Sequence, residues 1–196
     1  MLRVILRLLG TDIVARETPL SERCTLYFDG SCQDNRNVTA ETPAGWGVVV
    51  VEGDTGLGKG DGRVINELSG LVITAPTDTN WLGAEVGSNN TAELSALAHA
   101  LRWLLSEGGD IPTVIRGDSQ YALKISTGEW TAKANKKLAE RVQSLWREVS
   151  GLRELSGEHV RAHRGHRWNE RADHLAWRAG IGENPLPLQF WKPGMR

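Results

Sequence analysis

The sequence predicts an α/β protein built on one mixed sheet, antiparallel on one side and parallel on the other. Three observations carry this. Short β-rich runs come first, at Cys24–Phe28 (CTLYF), Gly45–Glu52 (GWGVVVVE) and, more weakly, Val64–Ile73. The apolar pattern then turns helical, with Leu94, Leu97, Ala98, Leu101 and Leu105 on one stripe. From there strand-like and helix-like segments alternate, as they do in the crossover units of a parallel sheet.

The first helix is closed by EGGD. Thr113–Asp118 (TVIRGD) reads as a short buried strand and SQYALKIS as a short helix. Leu138, Val142, Leu145, Trp146 and Val149 mark another helix, and EHVRA reads as the last strand. Ala172, Leu175, Ala176 and Ala179 form a final helical face, with Asn169 as candidate N-cap and Gly180 just past the end. GDTGLGKGDG, between the second and third strand runs, is turn chemistry. It lacks the Gly-Lys-Ser/Thr ending of a phosphate loop and leads into no helix.

At 196 residues the chain suits one domain with extensions: 1–22 as an arm or added strand, 23–181 as the domain, and 182–196 as a tail. The formal charge of −1 hides an asymmetry. Residues 1–100 carry 7 Lys and Arg against 13 Asp and Glu, and the remainder 16 against 11, so the halves stand at −6 and +5. A basic half suits phosphate contacts and an acidic half leaves carboxylates free for a cation, although ordinary solvated faces give the same totals. Cys24 and Cys32 are too few and too close for a disulfide framework, which points to free thiols, a reducing compartment and a cytoplasmic location. MLRVILRLLG falls far short of a membrane span and reads as a strand or arm, with an organellar presequence as the alternative.

Four acids stand at strand ends or helix starts. Asp29 follows LYF and Asp118 follows TVIRG, where ligands collect beyond the carboxyl ends of parallel strands. Glu93 and Asp173 are expected in the first turns of their helices. Each has a structural reading as well: Asp29-Gly30 as a tight turn, Asp118 as an N-cap, Asn90 with Glu93 as a capping box, and Asp173 as a complement to the helix dipole. Four converging carboxylates would raise one another's pKa values, a cost that hard divalent cations such as Mg²⁺ or Mn²⁺ remove. The histidine cluster in HVRAHRGHRWNERADHLA (159–176) suggests zinc only weakly, because no cysteine pair accompanies His163 and His166.

Taken together, YFDGSCQDN, NNTAEL, RGDSQYAL and AHRGHRWNERADHLA resemble, in order, the motifs of type 1 ribonuclease H, which cuts the RNA strand of RNA–DNA hybrids. The resemblance spans about Cys24 to Gly180. It implies the ribonuclease H-like fold, a five-stranded mixed sheet with helices on both faces. It implies Asp29, Glu93, Asp118 and Asp173 as metal-binding catalytic carboxylates for two Mg²⁺ ions, with Mn²⁺ as a substitute, and His163 as the mobile-loop histidine that assists proton transfer or product release. It also implies Asn35, Asn89, Asn90 and Gln120 as amides facing the hybrid's minor groove, where 2′-hydroxyls are displayed. Trp130 matches the aromatic along the DNA strand, with core packing as its alternative.

The implied partner is an RNA–DNA hybrid, with no membrane, and the implied protein is a monomer that leaves 5′-phosphate and 3′-hydroxyl ends. A non-cleaving binding module of the same fold is the alternative. A proofreading-type exonuclease fits poorly, since Asp29-Gly30-Ser31 lacks the second acid of Asp-x-Glu. Two stretches depart from the family pattern. TAKANKKL stands where bacterial enzymes insert a longer basic handle, leaving Lys133, Lys136 and Lys137 to keep part of that role. The 54–88 region is longer than compact members need, as an elaborated hairpin edge or a partner surface. The arginines Arg161, Arg164, Arg167 and Arg171 are expected to divide between phosphate contacts and solvated charge.

Overall fold

The computed structural model describes residues 23–161 and 165–196. Its elements are β1 (Cys24–Cys32), β2 (Ala44–Glu52), β3 (Arg63–Leu71), α1 (Asn89–Ser106), β4 (Thr113–Gly117), α2 (Gln120–Ser126), α3 (Lys136–Leu152), β5 (Leu155–His159) and α4 (Arg167–Gly180). The strands form one sheet in the order β3-β2-β1-β4-β5. β1, β2 and β3 pair antiparallel, while β4 runs parallel to both β1 and β5. This is the mixed sheet that the element pattern predicts.

Alternation along β1 and β2 assigns the two faces, because successive strand side chains point to opposite sides. Leu26, Phe28, Val48 and Val50 join Leu94, Leu97, Leu101, Leu138 and Val142 of α1 and α3 in the larger core. Tyr27, Val49 and Val51 face the other way, onto Trp168, Ala172 and Leu175 of α4. The unbroken valine run of β2 is therefore the mark of a strand covered on both faces. No helix among the described residues is long and apolar enough to cross a membrane.

Several local expectations are corrected. β1 continues through Asp29 to Cys32, with Asp29 opposite Gly47, so Asp29-Gly30 is strand and not a tight turn. The cap of α1 is Ser88, whose hydroxyl accepts from Thr91 N–H while the Thr91 hydroxyl accepts from Ser88 N–H; Asn90 and Glu93 form no capping box. Ser119, not Asp118, caps α2. α4 begins at Arg167 with His166 in the cap position, which leaves Asn169 inside the helix, and Gly180 is its last residue. β5 starts earlier than EHVRA, at Leu155.

The long connection after β3 packs inward. Trp81 Nε1 donates to the Ala84 carbonyl at 2.7 Å, Lys137 Nζ lies 5.4 Å from the Trp81 ring centre, and Glu85 N–H donates to Asn135 Oδ1 at 2.8 Å. The last two contacts join it to the start of α3. The glycine-rich turn between β2 and β3 docks on the start of α4. There Gly58 carbonyl accepts from Arg167 N–H at 3.0 Å, and Asp61 carbonyl accepts from Trp168 Nε1 at 2.8 Å.

Candidate active site

Sheet and helices bring the four acids of the sequence motifs to one region. Asp29 comes from β1 and Asp118 from the residue after β4. Glu93 and Asp173 stand in the second turns of α1 and α4, not in the first turns expected, because the helices begin earlier, at Asn89 and Arg167. Small residues set the approach. A Cβ on Gly30 would fall 2.2 Å from the Glu93 backbone nitrogen, so only a bare Cα lets α1 come down beside β1. On the other face, a Cβ on Gly47 would fall 2.4 Å from the Ala172 carbonyl oxygen, so the same device seats α4 against β2 one residue from Asp173.

Asp29 is only 8 % exposed, and its carboxylate accepts from Gly30 N–H at 2.7 Å. Its pKa is pushed well above the usual carboxylate range, first by burial and then by the negative charges of Asp118 and Asp173, with Glu93 adding to them. Burial, with Asp118 nearby, raises Glu93 to about 7 against the opposing hydrogen bond from the Ser119 hydroxyl. Asp118 accepts from Asn169 Nδ2 at 3.3 Å, and its backbone carbonyl lies 3.1 Å from His159 Nε2. Asp173 takes a two-pronged contact from Arg196, whose Nε and Nη2 donate at 3.1 and 3.0 Å.

Four oxygen donors share one negative field, which is the donor chemistry of a hard divalent cation. Among the described residues, however, no three His, Cys, Asp or Glu side chains stand together as a ready-made ligand set. Were these acids to share a cation, their side chains would have to rearrange, and Asp173 would have to leave Arg196.

The candidate substrate readers are arranged in two groups. Asn35 and Asn89 are tied together at the start of α1: Asn35 Oδ1 accepts from Asn89 N–H at 3.0 Å, and Asn89 Oδ1 accepts from Cys32 N–H at 2.8 Å. Asn90 and Trp130 line one groove of about 560 Å³ with Tyr121, Thr131 and Lys133. Trp130 is 48 % exposed, which removes the core-packing alternative. Gln120 is exposed at the start of α2. Lys133 and Lys136 border a second groove beside Trp130, whereas Lys137 turns to Trp81. His163, like Arg164, lies outside the described residues.

The basic residues of the last motif do not all stand on the surface. Arg171 is almost fully buried and grips Glu67 through two 2.7 Å hydrogen bonds, so it is neither a phosphate contact nor solvated charge. His174 is buried in backbone contacts. Sequence reasoning missed Ser119 as the partner of Glu93, Asn169 as the partner of Asp118 and Arg196 as the partner of Asp173. Only Ser119, immediately after Asp118, carried a usable signal, as a hydroxyl at a helix start.

The RNase H family model matches residues 21–180. The chain belongs to the RNase H family. Its similarity to curated relatives is 32 % identity over 178 residues to the ribonuclease H of Thermosynechococcus vestitus, covering 86 % of this chain and 94 % of that one. Among solved structures, the RNase H1 of the halophilic archaeon Halobacterium salinarum NRC-1 is 30 % identical with a TM-score of 0.58, covering 82 % of this chain and 98 % of that one. LC11-RNase H1 in complex with an RNA/DNA hybrid shares the fold at 22 % identity and a TM-score of 0.56, over 81 % of this chain and 97 % of that one. The RNase H sheet order and helix placement are therefore those the motifs imply.

Proposed function

We propose that this RNase H is a divalent-metal-dependent endonuclease that hydrolyses the RNA strand of RNA–DNA hybrids and leaves 5′-phosphate and 3′-hydroxyl ends. The observation that carries the reading is the buried Asp29 carboxyl lying in the combined field of Glu93, Asp118 and Asp173, which favours a bound cation over four mutually repelling acids. Asp29, Glu93, Asp118 and Asp173 would hold two Mg²⁺ ions, with Mn²⁺ as substitute. Such ions, when bound, supply an activated water and neutralise charge developing on the scissile phosphate.

The chain's own residues do the rest. Ser119 steers Glu93 and Asn169 steers Asp118 by direct hydrogen bonds. Asn35, Asn89, Asn90 and Gln120 read sugar and shape across the minor groove, where an amide can donate to and accept from a 2′-hydroxyl. Trp130, exposed on a groove that also holds Lys133, offers a stacking face and a cation to the DNA strand. His163 moves a proton or speeds release of the product.

The test compares an RNA–DNA hybrid, double-stranded RNA and double-stranded DNA as substrates under Mg²⁺, Mn²⁺ and EDTA. Cleavage confined to the RNA strand of the hybrid, and abolished by EDTA, is expected. Binding without cleavage under either metal would convert the reading to a non-cutting module.

A further inference from the structure

The segment after α4 forms a strap along that helix. Arg178 Nε donates to the Asn184 carbonyl at 3.0 Å and pairs with Glu183. Trp191 is 2 % exposed, with the Arg167 and Arg171 guanidinium groups 5.8 and 5.3 Å from its ring centre. His174, on α4, holds the strap at two points: its Nε2 accepts from Leu186 N–H at 3.0 Å, and its Nδ1 lies 3.0 Å from the Met195 carbonyl. Since Nε2 accepts, Nδ1 carries the proton and donates, which satisfies both ring nitrogens of a neutral imidazole. Trp191 Nε1 donates to the same Met195 carbonyl at 3.3 Å.

This clamp fixes the backbone one residue before Arg196. The Arg196 guanidinium then engages both carboxylate oxygens of Asp173 and lies 5.1 Å from the Trp177 ring centre. A guanidinium fork on a carboxylate is a geometrically specific pairing. It also occupies both Asp173 carboxylate oxygens, so neither is open to another cation. The Asp173 side chain is 19 % exposed and that of Arg196 49 %, so the pair is exchangeable and not a buried lock.

We propose that the 183–196 strap sets the cation affinity of the active site, with Arg196 acting as a tethered competitor that must leave Asp173 before a divalent ion can use it. The inference rests on Asp173 being a metal ligand. It follows by linkage: a contact made only in the metal-free protein weakens metal binding by the factor that the contact itself is favourable.

Mn²⁺ titration calorimetry on the full chain tests this without any cleavage assay. Arg196→Gln should bind Mn²⁺ on the order of two- to fivefold more tightly than wild type, the scale expected of a partly exposed ion pair. Arg196→Lys, which keeps the charge and loses the fork, should fall between the two. Lys192→Gln removes an exposed charge from the same strap and should leave the affinity unchanged. An unchanged affinity in Arg196→Gln, or an equal gain in Lys192→Gln, overturns the strap while the site reading stands. Absence of Mn²⁺ binding by wild type, or binding untouched by Asp29→Asn, overturns the site reading and the strap with it.

Discussion

Gly30 and Glu93 are in backbone contact: a Cβ on Gly30 would come within 2.2 Å of the Glu93 nitrogen and 2.4 Å of the Ala92 carbonyl carbon. Both obstacles are helix backbone, which cannot rotate aside as a side chain can. Gly30→Ala should therefore push α1 away from β1, destabilise the protein by about 1–3 kcal/mol and reduce hybrid cleavage, because Glu93 moves away from Asp29. Denaturant melts and cleavage rates measure both effects. A variant with wild-type midpoint and rate would show that α1 does not need this approach.

Asp29→Asn separates catalysis from folding. The substitution nearly conserves volume and removes a buried charge that three neighbouring acids disfavour. Cleavage should disappear and hybrid binding should largely persist. In EDTA the variant should melt above wild type, since neutralising Asp29 relieves repulsion in the metal-free protein. Near-normal turnover by Asp29→Asn would refute its assignment to the reaction.

Trp130 offers the opposite case, an exposed residue whose loss touches binding alone. Trp130→Ala should change stability by less than about 0.5 kcal/mol, as surface substitutions do. It should raise KM for the hybrid by roughly five- to a hundredfold, through loss of a stacking surface worth about 1–3 kcal/mol per base. An unchanged KM would take the groove of Asn90, Tyr121 and Lys133 out of the substrate path.

His99 supplies a pH test on a group outside the four acids. Its ring is stacked on Trp46, with centres 3.8 Å apart and planes 10° from parallel. Burial, and to a lesser degree the charge of Arg102, pushes its pKa down from 6.5 to about 4. Between those values the unfolded chain binds a proton that the folded protein refuses, so stability falls as the pH drops from about 6.5 toward 4 and is insensitive to this group above that window. The slope from His99 is at most on the order of 1 kcal/mol per pH unit. His99→Phe keeps an aromatic partner for Trp46 and should flatten the dependence in that window. An identical slope in the variant would assign the acid sensitivity elsewhere.

The sequence by itself determined the succession of strands and helices along the chain and the motif positions of Asp29, Glu93, Asp118 and Asp173, because periodicity and motif spacing are local properties of the chain. It misjudged caps: Ser88 and Thr91 close the start of α1 where Asn90 and Glu93 have the same spacing, since several polar residues near a helix start compete and geometry picks one. Only the tertiary structure decided which charges meet. Arg171 finds Glu67 across 104 residues, Arg116 finds Asp54 across 62, and Arg196 finds Asp173 by way of the clamp on His174. Apolar pattern tells each element which face to bury, but the partner of a charged side chain depends on which elements the topology sets side by side, and that is a property of the assembled sheet and helices.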